Sequence, residues 1–112
     1  DDYPEFKLRK DALLLIVQSQ FYLQEYKNAQ GSLSLMKSEF GSTVTFETAF
    51  WSSMIKWKEG KVQPAINELS GLFDNKLSSN NKAKIYLSIA EIYFDQNMIS
   101  LSMDNLLIFF IL

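Results

Sequence analysis

The chain has 112 residues, of which 47% are hydrophobic and 14% aromatic, with only 4 Gly and 2 Pro; such a composition supports a packed core without disulfide staples and argues against intrinsic disorder. Its 11 basic and 13 acidic residues leave a net charge of −2, with both signs spread along the chain, which argues against a phosphate-neutralising nucleic-acid surface and against a basic amphipathic membrane helix. Cys and His are both absent, which removes disulfides, a thiolate nucleophile, the commonest general base and the commonest transition-metal ligands, so neither catalysis, a metal site nor a cofactor is expected.

Pro4 opens the first predicted helix, with Asp2 as N-cap and Glu5 in the first turn. Phe6, Ala12, Leu13, Ile16 and Leu23 fall on or near one face. The run Leu13 to Val17 is apolar nearly all round, the pattern of a helix covered on two sides. After a pause at Gln24 and Glu25, a second helix is predicted from Tyr26 to Phe40, carrying Ala29, Leu33 and Met36. Gly41, Ser42 and Thr43 read as a stop followed by a start, Gly suiting a left-handed C-cap and Ser or Thr the next N-cap.

The third helix spans about Thr45 to Glu59, carries Ala49, Met54, Ile55 and Trp57, and is ended by Gly60. A fourth begins near Lys61, accommodates Pro64 in its first turn, carries Ala65, Ile66, Leu69 and Leu72, and ends near Asp74 and Asn75. Ser78-Ser79-Asn80-Asn81 is a loop with several candidate N-caps. The fifth helix carries Ile85, Tyr86, Ile89, Ala90, Tyr93 and Phe94; Asn97 breaks it, and a sixth runs from about Ile99 to the end. Val44-Thr45-Phe46 is the only β-like triplet and is too short for a strand. Short connections between six helices make consecutive helices antiparallel neighbours.

The breaks repeat. Phe21 through Ala29, Trp57 through Ala65 and Phe94 through Ser102 each run from an aromatic through a helix break to a small residue. The small residues stand at 29, 65 and 102, spaced by 36 and 37 residues. A small side chain is what two helices need where their axes approach to 8–10 Å. In this the chain resembles three degenerate tetratricopeptide repeats, units of about 34 residues of helix–turn–helix.

In the third unit the family pattern falls on Tyr86, Ile89, Ala90, Tyr93, Ser102, Leu106 and Phe109. In the first it falls on Leu13, Ile16, Val17, Gln20, Ala29, Leu33 and Met36, with Tyr26 at the aromatic turn position. The second keeps Gly60 and Ala65 but has Ser52 and Ser53 where Leu and Gly are usual, and the family's closing Pro is absent throughout. The resemblance implies an all-α fold of three antiparallel helix pairs, about 5–40, 45–75 and 80–112, stacked as one right-handed solenoid domain. The longer period is similar to that of divergent repeats in bacterial envelope proteins, which implies the periplasm or envelope rather than the cytoplasm. The chain begins with Asp1 rather than Met, and a processed product or a piece of a longer protein is expected.

The first helices of such a stack line a concave face. The positions expected there are Leu14, Gln18, Phe21 and Tyr22, then Glu47, Phe50, Met54, Trp57 and Lys58, then Lys84, Leu87, Glu91, Phe94 and Asp95. From these, Gln18, Phe21, Tyr22, Phe50, Met54, Trp57, Lys58, Glu91 and Phe94 are the candidate partner-binding residues. The alternative is that the aromatics fill the core between units; Phe21 and Phe50 fit either role, whereas the amphipathic rings of Trp57 and Tyr22 favour the groove.

A protein or peptide ligand anchored by aromatic residues is the function implied, with no nucleic acid and no direct membrane span. The longest apolar run, Leu106 to Leu112, is seven residues against the roughly twenty that cross a bilayer. One helix face can bury only part of it, so Leu107, Phe110 and Ile111 are expected to form an edge that meets a partner or a second chain. Glu91 and Asp95 share a helix face, and Lys56, Lys58 and Lys61 are close in sequence; both groups are expected to be solvated.

Overall fold

Stretches with helical apolar spacing, separated by residues that end helices, give six α-helices in a computed structural model that describes residues 3–112. They are α1 (Tyr3–Tyr22), α2 (Tyr26–Phe40), α3 (Thr45–Lys58), α4 (Val62–Gly71), α5 (Ser79–Asp95) and α6 (Ile99–Ile111). A 3-10 turn, Gly41–Val44, joins α2 to α3, and no strand occurs among the described residues. Asp2, the N-cap expected for the first helix, lies outside them.

The turns α1–α2, α3–α4 and α5–α6 share one geometry. Each holds one left-handed residue: Gln24 at φ 65°, Gly60 at φ 88° and Asn97 at φ 62°. Its N–H donates to the carbonyl three residues back (Phe21, Trp57 and Phe94), at 3.0 Å in all three turns. The next N–H reaches five residues back, to Gln20, Lys56 and Tyr93, at 2.8 Å in all three. This is the Schellman pattern, which satisfies carbonyls that a helix end would otherwise leave bare. Glu25, Lys61 and Met98 then enter the next helix with nearly the same backbone, φ between −90 and −96° and ψ between 67 and 72°.

Five residues after each left-handed residue comes the small one, and all are buried: Ala29 and Ala65 at 0% exposure and Ser102 at 4%. The Ser102 hydroxyl donates to the Ala90 carbonyl at 2.9 Å, tying α6 to α5. In the first pair, Ser32 on α2 bonds Gln20 near the turn, while Arg9 and Glu39 pair at the far end, so the two helices run antiparallel.

The closest neighbours are α1 with α2, α3 with α4 and α5 with α6. Between pairs, α3 lies against both α1 and α2, and α5 against α4. Val17, Phe21, Leu33, Phe50, Ile55, Leu69, Ile85 and Ile92 belong to one continuous core running through α1 to α5. Leu13, Met36, Phe40 and Val44 form a smaller cluster where α1 and α2 meet the 3-10 turn. The described residues form a slab of 49 × 30 × 19 Å.

Several local expectations are corrected. Ser42 and Thr43 do not cap α3, whose N-cap is Val44 without a side-chain bond. The Thr43 hydroxyl instead donates back to the Phe40 carbonyl at 2.7 Å, and the 3-10 turn fills the gap between helices. Helix α4 stops at Gly71, short of Asp74, and the Asp74 side chain instead accepts the Lys76 N–H at 2.7 Å in a local turn. Among the loop's candidate caps, Ser78 is the one used, its hydroxyl accepting the Asn81 N–H at 3.1 Å.

Leu13 to Val17 is not covered on two sides. Leu13 and Val17 are buried, but Leu15 and Ile16 are 61% and 46% exposed, because among the described residues no helix packs on the face of α1 that carries them. Nor are all three central lysines simply solvated. Lys56 is partly buried and pairs with Glu68 across α3 and α4, where Ser53 also reaches Glu68 at 3.3 Å.

Candidate partner-binding groove

The C-terminal end of α3 and the facing sides of α5 and α6 enclose an open groove of about 540 Å³. Its walls are Trp57 and Lys58 from α3, Ala90, Glu91, Phe94 and Asp95 from α5, and Ser102 and Leu106 from α6. The shared turn geometry explains the convergence: Trp57 and Phe94 both stand three residues before a left-handed residue, at the end of the first helix of a pair.

Phe94 is 66% exposed, more than the groove's other apolar residues. Trp57 is 9% exposed and forms a wall whose ring carries the Lys58 ammonium 3.8 Å from its centroid. A cation held over an indole face is attracted by the ring quadrupole, so Lys58 is oriented rather than freely solvated. Glu91 and Asp95, four residues apart on α5, give that wall negative charge. The lining is therefore mixed: apolar at Phe94, Ala90 and Leu106, and charged of both signs at Lys58, Glu91 and Asp95.

Of the nine residues selected from the sequence, Trp57, Lys58, Glu91 and Phe94 meet in this groove. Phe21, Phe50 and Met54 do not join them; they are 3%, 6% and 6% exposed, inside the core. Gln18 is half-buried on α1, and its neighbour Tyr22 is 73% exposed. The Tyr22 ring meets Phe21 and Trp51 edge-on, at 5.1 and 6.2 Å between centroids, so it belongs to the junction of α1 with α3. Leu107, Phe110 and Ile111 are 59%, 79% and 82% exposed on α6.

Sequence reasoning missed Ala90, Ser102 and Leu106 as groove walls, although the expected repeat pattern included all three. It gave Trp51 no role, yet that ring packs edge-on against Phe21 at 5.3 Å and Phe50 at 5.4 Å. Only the residue's position opposite the preceding helix pair could have signalled this.

A second concavity, of about 550 Å³, lies between α2, the 3-10 turn, α3 and α4. Its lining is more polar, with Ser34, Lys37, Ser42, Thr45, Ser52 and Glu68 and no aromatic ring. No set of three carboxylates gathers to hold a metal ion among the described residues. No helix among them is long and apolar enough to cross a membrane. No family model, no curated protein and no solved structure matches the chain.

Proposed function

We propose that this chain is a non-enzymatic, tetratricopeptide-like scaffold that holds a segment of another polypeptide in the groove between α3, α5 and α6. The observation carrying this reading is the meeting of Trp57, Lys58, Glu91 and Phe94 in one open groove, with Phe94 66% exposed. An exposed aromatic among apolar walls supplies most of the energy of a small interface, and rim charges set its specificity. The right-handed stacking of three pairs is part of the same proposal, supported by the repeated turn and the buried small residues.

Site-specific photo-crosslinking tests the reading. A crosslinker at position 94 is expected to give a discrete adduct with a polypeptide, while one at exposed Asn67 on α4 gives none. Equal, diffuse labelling at both positions, or none at 94, removes the groove as a binding site. A second reading is a structural segment that assembles through α6; it draws on the exposure of Leu107, Phe110 and Ile111.

A further inference from the structure

The three pairs, aligned on Gln24, Gly60 and Asn97, show which faces are covered and which are not. On the incoming side, Leu8 and Leu15 of α1 match Val44, the N-cap of α3, and Trp51 of α3, and Asn81 and Ser88 of α5. Val44 is 1% exposed, Trp51 half-buried and Ser88 5% exposed, because α3 and α5 each seat on the pair before them. Leu8 and Leu15 are 69% and 61% exposed. On the receiving side, Phe21, Trp57 and Phe94 are equivalent, at 3%, 9% and 66% exposure. Leu33 and Leu69 are 6% and 0% exposed, whereas their equivalent Leu106 is half-buried. The molecule thus carries an apolar stripe on α1 and a groove on α5 and α6 that correspond to the two halves of its own α3-on-α1 junction.

We propose that the groove receives α1 of a second copy of this chain, seated as α3 is seated on α1 and α2. The inference rests on the reading of the groove as a docking site and names its occupant. Within the chain the Trp51 ring lies 5.3 Å from Phe21; the same seating between copies puts Leu15 of one over Phe94 of the other. Charge agrees with it. The α5 wall carries Glu91 and Asp95 beside Lys58 of α3, and α1 carries Lys7, Arg9 and Lys10 against Glu5 and Asp11, with Lys7 paired to Asp11 and Arg9 to Glu39, which leaves Lys10 as the cation to meet the α5 carboxylates. A contact between two different surfaces is heterologous, so copies add head to tail into a ring or an open chain.

Sedimentation equilibrium on wild type, Leu15→Glu and Phe94→Glu decides the matter. Both substituted side chains are more than half exposed, and circular dichroism establishes that each variant stays folded. Wild type is expected to rise above its 13.0 kDa monomer mass with concentration, and each variant alone to stay monomeric. Mixing the two variants restores one intact stripe and one intact groove, so the mixture stops at twice 13.0 kDa. Three results overturn the proposal: wild type monomeric up to about 1 mM, the weak end of specific association; association that survives both substitutions; or association abolished by Ile111→Glu but not by Leu15→Glu, which marks a symmetric α6 contact. If wild type stays monomeric while position 94 crosslinks to a different polypeptide, the second copy is excluded and the groove stands. If position 94 yields no adduct and wild type is monomeric, both readings fall.

Discussion

The left-handed backbone at the centre of each turn costs a side chain about 1–2 kcal/mol, except for glycine. Here the same conformation is filled by Gln24, Gly60 and Asn97. Gly60→Ala is therefore expected to lower stability by about 1–2 kcal/mol. A Cβ at Gly60 meets no atom within 4 Å, so the loss is purely conformational. Gln24→Gly at the equivalent position is expected to gain up to about 1 kcal/mol, since glycine relieves the strain but adds unfolded-chain entropy. Urea denaturation of both variants reads the two signs, and a loss at position 24 would mean that the glutamine side chain stabilises the turn. The small residues act through volume instead. Ala65 has 0% exposure between α3 and α4, so Ala65→Leu forces the helices apart and is expected to cost about 1–3 kcal/mol by thermal or urea unfolding.

At the scale of elements, burial is uneven. Four residues of α2 and five of α3 are buried, but α6 contributes only Ser102. Helix α6 has α5 as its one close neighbour and otherwise presents apolar side chains to solvent. Amide hydrogen exchange on the Phe94→Glu variant should therefore show α6 opening more readily than α3; equal protection in the two helices would refute this. The same unevenness separates what was legible in the sequence from what was not. Tyr26 to Phe40 was readable as α2, residue for residue, because a pause and a glycine frame it. The buried small residues were readable from their spacing. Which side of each aromatic is covered was not, because exposure depends on the neighbouring pair rather than on the residue's own helix. Phe21 and Phe94 hold the same place in the repeat, yet one is 3% and the other 66% exposed. The 3-10 turn at Gly41–Val44 was also hidden, since hydroxyls that suit an N-cap equally suit bonding back to a carbonyl.

At the scale of the whole molecule, the three pairs differ mainly in their neighbours. The middle pair has one on each side, the first leaves the stripe of α1 bare, and the last leaves the groove. The short connections of residues 23–25, 59–61 and 96–98 have a kinetic consequence. Residues that touch within a pair are near in sequence, so little loop entropy is lost before a contact forms, and low contact order places folding in the microsecond-to-millisecond range.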